Sequence, residues 1–181
     1  MTGVQVVAEG TQPERRAAAE RRAEPAWRKP LLAIHIVTSV GVLGADLVLL
    51  ALGISGARGS DPETVYPAMS LVSGWLIAPL AMLALATGVL QALLRGWGLA
   101  RYWWVTIKLT ITAVLTGAVL FVLVPGLRTA AETATGPNAE TLLDDAQRVA
   151  FVIAPSVAIT LLLLNVFLAV YKPTWRIGSR P

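Results

Sequence analysis

Cysteine is absent from this chain of 181 residues. No disulfide, thiolate metal site or cysteine-linked haem is open to it. Histidine occurs once, at His35, and methionine three times with the initiator included, so soft metal ligands are scarce. Charge is thin too: 14% of the residues are Asp, Glu, Lys or Arg, where soluble domains carry about 25%. There is no glycine-rich phosphate loop between a strand and a helix, no Ser/His/Asp set and no HExxH motif. Catalysis of those familiar kinds is not indicated.

What the chain has instead is apolar sequence. It is 55% hydrophobic with a mean hydropathy of +0.65. Four apolar segments, at 31–53, 71–94, 102–124 and 149–171, are each close to the roughly 20 residues that carry a helix across about 30 Å of hydrocarbon. The runs are continuous rather than alternating and rich in Leu and Ala, which argues against strands. A helix also satisfies its own backbone in lipid. The first run is longer than the apolar core of a cleaved signal peptide, so it reads as a retained span. The expected fold is all-α, a polytopic membrane four-helix bundle. Residues 1–29 form a basic leader, either a disordered arm or a surface helix over PERRAAAERRAEPAWRK against anionic headgroups. Residues 30–173 form the transmembrane domain, and 174–181 a short tail.

Basic residues set the expected orientation. Arg15, Arg16, Arg21, Arg22, Arg28 and Lys29 precede the first span, Arg95 and Arg101 bracket the link between the second and third, and Lys172, Arg176 and Arg180 follow the fourth. The other two loops hold Arg58, Arg128 and Arg148 beside Asp61, Glu63, Glu132, Glu140, Asp144 and Asp145. Both termini are therefore expected to be cytoplasmic, in a bacterial cytoplasmic membrane. The sequence pI near 10.0 records this asymmetry and does not imply nucleic-acid binding.

Five polar residues interrupt the spans: His35, Asp46, Gln91, Lys108 and Asn165. An ionisable group at mid-helix costs about 2.5–3.5 kcal/mol on insertion scales and faces a bundle interior or a water-filled cavity. An internal repeat orders them. AIHIVTSVGVLGADLVLLALG (33–53) aligns without a gap on TIKLTITAVLTGAVLFVLVPG (106–126), pairing Gly44 with Gly117 and His35 with Lys108. WLIAP (75–79) likewise matches FVIAP (151–155). Two hairpins of the same orientation would then be related by a pseudo-twofold axis along the membrane normal. His35 and Lys108 would lie at equal depth, either facing one another across the bundle or with Lys108 snorkelling to headgroups beside Trp103 and Trp104. Asp46 shares the His35 face, about 16 Å further along the helix. Gly41, Gly44, Gly88 and Gly117 are expected at close helix contacts, and Gln91 and Asn165 in interhelical hydrogen bonds.

LLAIHIVTSVGVLGADLVL, PLAMLALATGVLQAL and a WxxxKL motif at Trp104, Lys108 and Leu109 together resemble a group of small bacterial four-helix membrane proteins. The match is best to an uncharacterised actinobacterial integral-membrane family. More distantly the chain is similar to the CopD domain and to HemJ-type protoporphyrinogen oxidases. That resemblance implies His35 as a ligand to haem b or another metal and Lys108 as a partner for a porphyrin carboxylate. Three readings stand: a membrane protein binding haem or a small redox or anionic ligand at His35 and Lys108, a scaffold or accessory subunit, or a small transporter with Asp46 as a second polar station. The lipid bilayer is the expected partner, and a homodimer or larger membrane complex is compatible with so small a bundle.

Overall fold

The computed structural model describes residues 26–94, 103–136 and 145–171. The basic leader to residue 25, Arg95, Arg101, Glu140, Asp144 and the tail with Lys172, Arg176 and Arg180 lie outside the described residues. Four helices are long and apolar enough to cross a membrane: α1 (Arg28–Ala57), α2 (Pro62–Leu94), α3 (Trp103–Ala134) and α4 (Asp145–Tyr171). Among the described residues there is no strand. We call the end where α1 and α3 begin the near end and the opposite one the far end.

Two helices extend well past the apolar runs. α2 begins at Pro62, nine residues ahead of the expected start, and α3 runs to Ala134, ten past the expected stop. The first difference comes from capping. α1 closes at Gly59, whose φ of 90° suits glycine, with Gly59 N–H bonded to the Gly56 carbonyl and Ser60 N–H to that of Ser55. Asp61 then caps α2, accepting from Glu63 N–H at 3.2 Å and from the Thr64 hydroxyl at 2.6 Å, with Pro62 in the first turn. The second difference lies at Pro125, which the helix passes rather than stopping.

Pro79 in α2 and Pro125 in α3 are accommodated by π turns. Val72–Ile77 and Val119–Leu123 are π-helical, and each ends one residue short of a proline's neighbour, at Pro79 and Pro125. The N–H of Ala78 reaches back five residues to Ser73, and that of Val124 five residues to Val119. Proline lacks an N–H and its ring clashes with the carbonyl four residues back, so widening the preceding turn relieves that clash. Those fourth residues are Trp75 and Phe121, both highly exposed, at 77% and 79%. In local geometry 75–79 therefore matches 121–125, although the sequence alignment pairs it with 151–155. Pro155 is buried in an unbroken α-helix.

The helices alternate in direction. α1 packs against both α2 and α4, and at the far end the first turns of α2 lie along the last turns of α3. That far half holds the best-filled core, where Leu49, Tyr66, Met69, Ile77 and Leu127 are fully enclosed. Its tightest point is Gly53: a β-carbon there would sit 2.5 Å from the Phe151 carbonyl oxygen. Phe151 in turn tilts against Tyr66, ring centroids 5.8 Å apart. α3 and α4 meet in the near half and diverge in the far half.

Candidate functional site

Near the near end, α1 offers His35 to α2. The ring Nδ1 lies 3.0 Å from the Thr87 hydroxyl oxygen. That hydroxyl has one proton, and it goes to the Leu83 carbonyl at 2.6 Å, so Thr87 accepts and Nδ1 donates. The lone pair of a neutral ring is then on Nε2. Gly88 leaves space for the imidazole, since a β-carbon there would come within 3.2 Å of Cε1. Lys108 on α3 is close enough to act electrostatically on His35. The expected His35 and Lys108 pairing is thus within Coulomb range, and Trp104 beside it is half-buried.

Other sequence candidates divide. Asn165 is buried and donates from Nδ2 to the Thr112 hydroxyl at 3.0 Å, joining α4 to α3, while its Oδ1 is buried with no hydrogen-bond partner. Gln91 makes no such link through Nε2, which is also buried without a partner. Gly41 packs on Leu80, 3.1 Å from the position of a β-carbon. Gly44 and Gly117 would meet nothing within 4 Å, so neither provides a close contact within the described chain. Gly88 packs closely as expected, and Gly53 does so as well.

Asp46 belongs to a different place. It sits on the buried face of α1 with Thr38, Val42 and Leu49, and its residue surface is only 3% exposed. Among the described residues nothing donates a hydrogen bond to its carboxyl. The side chain lines a cleft of about 640 Å³ walled by α3 and α4, within the usual size of small-molecule pockets. Leu115, Val119, Leu123, Phe151 and Pro155 make the inner wall apolar, and Thr129, Thr133 and Gln147 supply polar groups toward the far end. From Asp46 to the end of α1 is about 16 Å along the helix.

Thr87, Phe151 and the far turn of α3 escaped the sequence reading. A signal for the last was present: Leu127, Ala130, Ala131 and Ala134 recur at helical spacing, and Gly126, Thr129 and Thr133 fall on the cleft face of the same turns.

Haem can be tested against these residues. His35 would supply one ligating nitrogen, Nε2, and the described residues contain no group of three His, Cys, Asp or Glu able to hold a metal ion. Gly88 lies against the Cε1–Nδ1 edge of the ring, away from Nε2. The described residues thus offer haem a single histidine ligand. Comparison with protein-family models, with curated proteins and with solved structures finds no match.

Proposed function

We propose that this is an integral membrane protein that binds a small, largely apolar molecule in the α3–α4 cleft and holds its polar head on Asp46. The observation that carries the reading is an aspartate only 3% exposed, in the wall of an apolar cleft, whose carboxyl has no donor among the described residues. A buried polar group without a partner is costly, by about 1–3 kcal/mol in protein interiors and more for a charge. A ligand bearing a hydrogen-bond donor or a cation would satisfy it. Helices α1, α2 and α3, at 30, 33 and 32 residues, reach about 45–50 Å, so their far turns would extend past the roughly 30 Å of hydrocarbon. With the basic near end in the cytoplasm, the cleft would open toward the outer leaflet and suit a transporter better than a scaffold.

The test uses octylamine and 1-octanol as probes, titrated into the protein in nanodiscs. Both are expected to bind saturably, and Asp46→Asn to weaken octylamine at least tenfold, about 1.4 kcal/mol. Ala154→Trp, which fills the cleft and keeps the carboxyl, should abolish both. Unchanged binding in the two variants, each verified as folded by its melting temperature, would overturn the reading.

A second reading keeps one observation, the Nδ1–H of His35 held by Thr87 so that Nε2 is the ligating nitrogen. It places a small ligand between His35 and Lys108. A Soret band in the purified protein, lost on His35→Ala, would identify that ligand as haem.

A further inference from the structure

The α3–α4 cleft is open along its side as well as toward the far end. Val122, in its wall, is 70% exposed, and Ala118, Ala150 and Ala154 are exposed too. These residues lie on helices of transmembrane length, so in a bilayer this side faces acyl chains. An occupant can pass from lipid into the cleft without crossing water.

At the floor, the described residues provide Asp46 with neither a donor nor a counter-charge. Among the described residues, no Lys, Arg, His, Glu or Tyr lines the cleft. What faces it from α3 is Leu115, Ala118 and Val119, from α4 Phe151, Ala154 and Pro155, all without charge. Among other titratable groups of the far half, Tyr66 on α2 and Arg148 on α4 act on one another, and Arg128 pairs with Glu132 on the exposed side of α3 at 3.3 Å. Two partners can cancel a charge on Asp46, a proton or a cation carried in by the ligand. They compete for the same oxygens.

We propose that Asp46 exchanges its proton for the ammonium group of a single-chain amphiphile that reaches the cleft sideways from the bilayer. The inference rests on the cleft being a ligand site, as read above. The step balances: the carboxylic acid and the alkylammonium ion give a carboxylate–ammonium pair in the cleft and one proton released to water. Binding then couples the amphiphile to a proton moving the other way, and a site that exchanges one cation for another is the elementary unit of an antiporter. A neutral head, such as an alcohol, binds without displacing anything.

Calorimetric titration of octylamine into the nanodisc protein, in two buffers of different ionisation enthalpy, counts the protons released. Octylamine stays protonated between about pH 5 and pH 8, as lysine does with its ordinary pKa of about 10.4. The expected result is release approaching one proton per amine bound, with affinity falling toward tenfold per unit as pH drops. 1-Octanol should release none. Asp46→Asn should abolish release, and Asp46→Glu, which keeps a carboxyl, should restore it. Octylamine binding with no proton released anywhere in that range would overturn the exchange and leave the cleft site standing. Binding of 1-octanol without octylamine would do the same, whereas no binding of either probe would overturn both.

Discussion

Gly53 holds α1 and α4 closer than a side chain would permit. With Phe151 carbonyl oxygen 2.5 Å from a β-carbon built there, Gly53→Ala must push the helices apart. The expected loss is about 1–3 kcal/mol, read as a lower melting temperature in detergent, while Gly44→Ala, which meets nothing, should leave it unchanged. Thr87→Val removes the acceptor for His35 Nδ1 at similar volume, for an expected cost of about 0.6–1.5 kcal/mol by the same melt. At this scale the sequence was partly legible. His35, Asp46 and Lys108 stood out because ionisable groups are rare in apolar runs. Thr87 did not, because a helical threonine ordinarily bonds its own turn, and this one does so while also accepting from α1. Nor could the runs tell which glycines touch a neighbour, since that depends on the partner helix.

Each of the two π turns is one residue inserted into a helix. Deleting the exposed Phe121 together with Pro125→Ala should therefore return α3 to an ordinary helix while Leu127, Ala130 and Ala134 keep their buried face. That variant is expected to fold. Deleting the equally lipid-facing Val114 from the regular part should not, because one residue turns everything beyond it by about 100°. Thermal melts of the two variants in one detergent separate them. Helix existence was legible from apolar length, but the ends were not. Asp61, Pro62 and Glu63 spell a helix start, and the stripe from Leu127 to Ala134 spells a continuation, yet both lie outside the apolar runs that define a span. The apolar run ends at Val124, and the helix continues through Pro125 and Gly126 because of backbone geometry that composition does not encode.

For the whole molecule, the cysteine-free chain makes orientation directly measurable with single substitutions. Ser60→Cys, in the exposed α1–α2 turn, is expected to react with a membrane-impermeant maleimide on intact spheroplasts. Trp27→Cys, exposed at the near end, should react after lysis alone. The reverse pattern would place the cleft's polar mouth on the cytoplasmic side. Four-helix architecture was readable in advance, whereas the cleft was not: it arises because α3 and α4 join through Asn165 and Thr112 in one half and part in the other. An open seam of that kind has a practical corollary. Any single-chain detergent is a rival for the space, and one with an amine-derived head is chemically close to the proposed occupant. Protein extracted in an amine-oxide detergent would arrive with its cleft already filled, and only a sugar-headed detergent or native lipid would leave Asp46 ready for assay.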